Sequence, residues 1–117
     1  MSEAIVSPLK IVERHFEAYN AHDLSAYMAT VSQSAQVYRH PDGEPVLQGK
    51  RNIAEFYAQH RFNIPALRAE LLHRTVVRGT VVDHERVWGL QASPVEAVIA
   101  YDVVDGLIQR MWIVAAG

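Results

Sequence analysis

The sequence contains no cysteine. Its absence excludes disulfide bonds, thiolate catalysis and metal sites with cysteine ligands. The chain also lacks a glycine-rich phosphate-binding loop and a Gly-x-Ser-x-Gly nucleophile turn, so nothing indicates nucleotide binding or serine-hydrolase catalysis. The six histidines show no spacing typical of a metal site. We therefore expect neither a metal nor a cofactor.

Long hydrophobic runs and concentrated charge of one sign are also lacking. The 11 basic and 13 acidic residues give a formal net charge of −2 and are interspersed, which makes nucleic acid a poor partner. No apolar run is long enough to span a membrane, and Met1 to Lys10 has no signal-peptide pattern. We therefore expect a cytoplasmic protein that binds neither nucleic acid nor a membrane.

What the chain does have is enough apolar sequence for a core. Half of its 117 residues are hydrophobic, and no repeat or low-complexity linker divides them. This length and composition fit one domain over residues 1–117.

Helical periodicity dominates the first half. Ser7-Pro8 is a start signal, with serine as the N-cap and proline at the first helical position. Asp23 then caps a second helix from Leu24 to about Val31, and a third helix runs from about Lys50 to His60. Apolar residues at three- and four-residue steps form the stripe of the first helix: Leu9, Val12, Phe16 and Tyr19.

Extended segments fill the gap before the third helix and all of the second half. A strand at 35–39 precedes the turn His40 to Gly43, and an extended piece at 45–48 follows. After Leu67 the pattern changes to strands, with the Asp105-Gly106 dipeptide as the strongest hairpin signal. Helices followed by strands predict an α+β fold, with helices on one face of an antiparallel sheet.

The turns predict which residues share a sheet face. Asp105-Gly106 as a two-residue turn places Ala100, Asp102 and Met111 on one face of its hairpin. Both faces of this hairpin are largely apolar. We therefore expect helices to cover one face and a second copy of the chain to cover the other, forming a homodimer.

The earlier hairpin carries most of the charged candidates. A turn at Gly79-Thr80 places Arg74 opposite Glu85 and puts Asp83 on the same face. Two carboxylates in an apolar pocket could divide acid and base roles between them. Alternatively, Glu85 forms an exposed ion pair with Arg74, which contributes little to stability.

Four segments together resemble the nuclear transport factor 2-like superfamily, in its SnoaL-like and ketosteroid isomerase-like branch. They are Phe16-Glu17-Ala18-Tyr19-Asn20-Ala21-His22-Asp23-Leu24, Ala35-Gln36-Val37 with His40-Pro41 and Gly49 downstream, Ile53-Ala54-Glu55-Phe56-Tyr57, and Val104-Asp105-Gly106-Leu107-Ile108. The resemblance implies a cone-shaped α+β barrel with an internal pocket, usually dimeric through the sheet. The superfamily includes isomerases, polyketide cyclases, epoxide hydrolases and non-catalytic proteins, so fold does not determine function.

The resemblance also places the isomerase site on particular residues. The oxyanion tyrosine falls on His15, the general-base aspartate on His40, and the second oxyanion acid near Ala100. None of these residue types is retained, which argues against ordinary steroid isomerisation. The epoxide hydrolase branch needs an arginine and two carboxylates, for which Arg74 with the two acids of the earlier hairpin has the right chemistry.

We therefore predict a small-molecule enzyme whose base is His40, Asp83 or Glu85, acting by proton transfer or water addition on an apolar, oxygen-bearing substrate. His40 has the alternative of being a solvent-facing turn residue, and Tyr19 that of being a core residue. A non-catalytic ligand-binding protein and a dimeric interaction module with a filled interior remain alternatives. The expected substrate-binding residues are His15, Tyr19, Phe56, Ala100, Asp102 and Met111.

Overall fold

The computed structural model describes residues 7 to 115, so part of the N-terminal stretch considered above lies outside the described residues. The helices are α1 (Pro8–Asn20), α2 (Leu24–Met28) and α3 (Lys50–His60). The strands are β1 (Val31–Arg39), β2 (Leu47–Gln48), β3 (Arg68–Val77), β4 (Thr80–Trp88), β5 (Val95–Val104) and β6 (Leu107–Ala115). No helix within this range is long and apolar enough to cross a membrane.

Both predicted helix caps are confirmed. The Ser7 hydroxyl accepts a hydrogen bond from the Lys10 N–H at 3.2 Å, and the Asp23 carboxylate accepts one from the Ala26 N–H at 3.0 Å. The second helix, however, ends at Met28 rather than near Val31. The chain turns into the sheet there, because the Thr30 carbonyl accepts from the Ile108 N–H at 2.8 Å.

The predicted α+β architecture is confirmed. One curved, unclosed sheet has the strand order β2-β1-β6-β5-β4-β3, and only the β1–β6 pair among these strands is parallel. The helices pack on its concave face. The core between them is built by Val12, Val31, Ile53, Ile108 and Met111, all of which are buried.

The β5–β6 hairpin turns where the sequence predicts, but its two faces are not as predicted. Asp105 and Gly106 have φ values of 53° and 78°, as a two-residue hairpin turn requires. Past the turn, a bulge shifts the register, so that Met111 lies opposite Tyr101. The predicted sharing of one face by Ala100, Asp102 and Met111 is wrong, because one extra residue in a strand moves all later side chains to the other face.

Hydrogen bonds of the Gln109 side chain stabilise this bulge. The side chain of the extra residue, Gln109, accepts from the Ser32 hydroxyl at 2.8 Å and donates to the Ser34 carbonyl at 3.1 Å. Gln109 therefore does not bond to Asp102. Asp102 instead accepts from the Thr80 hydroxyl at 3.0 Å.

The β3–β4 hairpin also differs in register from the prediction. Its connection is Arg78-Gly79 rather than Gly79-Thr80, and Arg78 takes the positive φ of 55°. Arg74 consequently lies opposite Asp83 and not opposite Glu85. The two carboxylates do share the concave face, as the alternation of the strand predicts.

Candidate functional site

A cavity of about 360 Å³ lies between the concave sheet face and the helices. This volume falls in the range of small-molecule sites. Most of its lining is apolar and includes Val37, Phe56, Ile99 and Met111. The polar side chains that line it are His15, Tyr19, Tyr27, Arg39, Tyr57, Arg61, Glu85 and Tyr101.

Asp83 does not line this cavity and forms a salt bridge with Arg74. Its two carboxylate oxygens accept from Arg74 Nε at 2.6 Å and Arg74 Nη2 at 2.9 Å, and the aspartate side chain is fully buried. This bidentate bond is the strongest geometry available to such a pair. It raises the pKa of the Arg74 guanidinium and engages both carboxylate oxygens of Asp83.

Glu85 is two residues further along β4 and does line the cavity. Only 5% of the residue is exposed, and within residues 7–115 no basic group forms a salt bridge with it. Burial, and then the negative charge of Asp83, raise its pKa to about 8. Glu85 is therefore mainly a neutral carboxylic acid at pH 7, with an ionised fraction of about a tenth.

His15 lies on α1, with its ring among aromatic side chains. The ring stacks on Tyr27 at a centroid distance of 3.8 Å and meets Tyr101 edge-on at 5.4 Å. Its Nδ1 lies 2.7 Å from the Thr30 hydroxyl oxygen. Burial lowers the pKa of His15 to about 3, so the imidazole is neutral and cannot serve as a cation here.

The four cavity tyrosines come from separate elements: Tyr19 from α1, Tyr27 from α2, Tyr57 from α3 and Tyr101 from β5. Burial is the largest cause that raises the pKa of each of them. The charge of Glu85 also raises the pKa of Tyr19, Tyr57 and Tyr101. These hydroxyls are therefore neutral donors close to one carboxyl group.

Two arginines, which the sequence analysis did not identify, complete the polar lining. Arg39 is exposed and Arg61 is half-buried. The Arg61 guanidinium lies 4.9 Å from the centre of the Phe56 ring and donates to the His60 carbonyl at 2.7 Å. Both positive charges lower the pKa of Tyr57, which places them at the α3 side of the cavity.

The structure brings some of the predicted site residues together and separates the rest. Those that line the cavity are His15, Tyr19, Phe56, Glu85 and Met111. His40 is exposed at the end of β1, where its N–H donates to the Ile113 carbonyl at 2.9 Å. Asp83 is held by Arg74, and Ala100 and Asp102 alternate onto the outer face of β5.

The cavity tyrosines that the sequence analysis missed lie at positions with the pattern of core residues. Tyr57 occupies the apolar stripe of α3 with Ile53, and Tyr101 alternates with Ile99 on β5. Their hydroxyls are therefore invisible to a pattern that records only burial. Thr30 was missed because it was expected to be a residue of the second helix, which in fact ends at Met28.

Comparisons with known proteins agree with this architecture. The model of the SnoaL-like domain matches residues 12–111. No curated protein matches the chain. Among solved structures, a candidate polyketide cyclase from Sinorhizobium meliloti has 26% identity and a TM-score of 0.76, covering 92% of this chain and 99% of its own.

Two further structures share the fold at lower identity. A candidate ketosteroid isomerase from Kribbella flavida has 14% identity and a TM-score of 0.81, covering 94% of this chain and 78% of its own. A nuclear transport factor 2-like protein of unknown function from Mesorhizobium loti has 18% identity and a TM-score of 0.83, covering 100% and 97%. The chain thus belongs to the SnoaL-like family and has the fold of nuclear transport factor 2-like proteins.

Proposed function

We propose that this SnoaL-like domain is a small-molecule enzyme that moves protons on an apolar, oxygen-bearing substrate held in the cavity. The observation that carries the proposal is Glu85, a buried carboxyl group on the cavity wall. Its neighbouring acid, Asp83, is already neutralised by Arg74. One titratable carboxyl in a mainly apolar cavity is the arrangement that tunes an acid or base to neutral pH.

The pKa of Glu85, about 8, suits both directions of proton transfer near neutrality. The protonated majority can donate to a substrate oxygen. The ionised minority can remove a proton from the carbon next to a carbonyl group, because burial disfavours its charge. The same carboxylate could instead activate a water molecule for addition.

The tyrosine hydroxyls supply the matching electrostatic contribution. When a proton leaves the carbon beside a carbonyl, negative charge develops on the carbonyl oxygen. Neutral hydroxyls of Tyr19, Tyr57 or Tyr101 can donate hydrogen bonds to that oxygen, and fixed donors stabilise such a charge more than mobile water does. The reaction class is therefore enolisation, followed by return of the proton to the same or another carbon.

This proposal predicts hydrogen exchange that depends on Glu85. A panel of small ketones, alpha-tetralone, beta-tetralone and cyclohexenone, is incubated with the protein in D₂O, and NMR follows deuterium entering beside the carbonyl group. We expect accelerated exchange for at least one ketone. Glu85→Gln should slow it by about a hundredfold to ten-thousandfold, because the amide cannot exchange the proton.

The matched control is Glu96→Gln, the same chemical change on the outer sheet face. Glu96 is exposed and bonds to His84 at 2.9 Å, so its loss should leave the exchange rate unchanged. If Glu85→Gln folds and exchanges as fast as the unaltered protein, Glu85 is not the acid or base.

A second candidate function is ligand binding without turnover. It is favoured by the aromatic side chains around the cavity, because a preformed aromatic wall needs no chemistry to hold a ligand. His15 stacks on Tyr27, and the Tyr57 ring lies tilted against Tyr27 at a centroid distance of 4.7 Å. Thermal stabilisation by a ketone, with no exchange in any member of the panel, would favour this candidate. The third alternative, an interaction module, expected a filled interior, and the cavity does not fit that expectation.

A further inference from the structure

Two hydrogen bonds determine where the proton of His15 resides. The Thr30 hydroxyl oxygen lies 2.7 Å from the Tyr27 carbonyl oxygen, which can only accept, so the hydroxyl proton points there. The same hydroxyl oxygen lies 2.7 Å from His15 Nδ1. Because the hydroxyl donates its one proton to the Tyr27 carbonyl, Nδ1 must be the donor in this second bond. His15 is therefore the tautomer with a proton on Nδ1.

The other ring nitrogen, Nε2, then carries a lone pair. It is buried and has no hydrogen-bond partner within the part of the chain that is described. Just 1% of His15 is exposed, yet the residue lines the cavity. A buried acceptor without a donor is an unfavourable arrangement that a bound molecule can relieve.

The remaining polar groups of the cavity all carry hydrogen-bond donors. The tyrosine hydroxyls and the protonated Glu85 can all donate, and the guanidinium groups of Arg39 and Arg61 donate only. Within residues 7–115, His15 Nε2 differs from them as a buried acceptor for which the structure shows no donor. The donors suit carbonyl oxygens of a ligand, whereas His15 suits a hydroxyl group.

We propose that the molecule bound in this cavity is a hydroxylated ketone whose hydroxyl group donates to His15 Nε2 while its carbonyl group faces the tyrosines and Glu85. The proposal rests on the proposed function for the choice of cavity, and it adds the substrate class. It also separates this chain from the isomerases that it resembles. A lone pair at the His15 position repels an oxyanion, which would need a donor there.

The first test reads the tautomer directly in the unaltered protein. The ¹⁵N signals of the imidazole rings are recorded by NMR, and His15 is assigned by the signal that His15→Phe lacks. We expect Nδ1 in the protonated range and Nε2 in the unprotonated range. A His15 ring protonated on Nε2 would overturn the proposal.

The second test adds a defined donor. Alpha-tetralone has a carbonyl acceptor only. Its ring-hydroxylated derivatives, which are isomers of one another, add one phenolic hydroxyl to the same skeleton. We expect at least one isomer to bind about tenfold to a hundredfold more tightly than alpha-tetralone, and to move the Nε2 signal toward the protonated range. Equal affinities for every isomer and the parent, or an unmoved Nε2 signal, would refute the proposal.

Variants distinguish His15 from its surroundings. His15→Phe keeps an aromatic ring but removes the acceptor, so the preference for the hydroxylated probe should disappear. His73→Phe makes the same change at an exposed position on β3 and should retain the preference. Persistence of the preference in His15→Phe would assign the hydroxyl to another partner.

The two proposals can fail separately. In Glu85→Gln, His15 is unchanged, so the preference for a hydroxylated probe should persist even where ketone exchange is lost. Absence of exchange together with an intact His15 preference would leave a binding site without the proposed catalysis. Exchange without that preference would leave the enzyme and remove only the hydroxyl assignment.

Discussion

Each ionisable residue on the concave face has the protonation state that its surroundings favour. Glu85 and His15 are both driven toward their neutral forms by burial, one with a pKa of about 8 and the other of about 3. Asp83 and Arg74 bond to each other through two hydrogen bonds. The site therefore has one salt bridge that is structural and two neutral groups that are available for ligand chemistry.

These shifts predict how stability depends on pH. Between about pH 4.5 and 8 the folded protein holds a proton on Glu85 that the unfolded chain has released, so the unfolding free energy falls with pH. Between about pH 3 and 6.5 the unfolded chain protonates His15 while the folded protein does not, so stability rises with pH. The two slopes cancel where they overlap, which predicts a plateau followed by a loss of about 2 kcal/mol from pH 6.5 to 8.

Urea unfolding at a series of pH values measures this profile. Glu85→Gln should abolish the loss above pH 6.5, since glutamine has no proton to retain. Glu96→Gln, which alters an exposed carboxylate, should preserve it. A wild-type protein whose stability is level or rising from pH 6.5 to 8 would contradict the raised pKa of Glu85.

At the scale of the elements, the bulge in β6 decides which side chains reach the cavity. If Gln109 paired as a regular residue of the strand instead of forming the bulge, strand alternation would direct Met111 to the outer face and Trp112 to the inner one. Met111 is 2% exposed and contributes to the core, whereas Trp112 is 39% exposed. A single unpaired residue thus determines which side chains of β6 beyond it face the core.

Deleting Gln109 should therefore be tolerated. The deletion closes the bulge and keeps Arg110 opposite Asp102 and Met111 opposite Tyr101, so we expect cooperative unfolding to persist by circular dichroism. Gln109→Ala keeps the extra residue and removes only its hydrogen bonds to Ser32 and Ser34, which should cost about 1 kcal/mol. A deletion variant that loses cooperative folding while Gln109→Ala keeps it would contradict this account of the bulge.

For the whole molecule, the helices cover only the concave face of the sheet. The outer face retains exposed apolar side chains around Trp112, which stacks on Tyr38 at 4.0 Å. Val98 and Val114 beside it are 36% and 44% exposed. Polar pairs lie on the neighbouring strands, among them the salt bridge of Arg86 with Glu70 and the hydrogen bond of His84 with Glu96. An apolar centre with charges of both signs at its rim is typical of a surface that pairs with itself.

We accordingly retain the sequence-based proposal that two copies associate through this outer face. Trp112→Arg should convert the dimer to a monomer in sedimentation experiments, because a charge in the centre of an apolar contact is costly to desolvate. Val104→Arg, at the exposed tip of the β5–β6 hairpin, should leave the dimer intact. A wild-type protein that is monomeric at millimolar concentration would end this proposal.

Local sequence signals determined much of the fold. The Ser7 and Asp23 caps, the boundaries of α3 and the Asp105-Gly106 turn follow from the chemistry of a few neighbouring residues, and all are confirmed. Alternation along β4 likewise placed both of its carboxylates on one face. Such features depend on interactions within one turn or one strand, which the sequence displays directly.

Tertiary structure alone decided the composition of the site. The bulge at Gln109 and the turn at Arg78 changed the residues facing each other across strands, so Arg74 bonds to Asp83 and leaves Glu85 free for the cavity. The lone pair of His15 likewise depends on Thr30, which is 15 residues away in sequence. Register and proton position depend on distant partners, and a one-residue shift reverses every side chain of a strand, so no local pattern contains them.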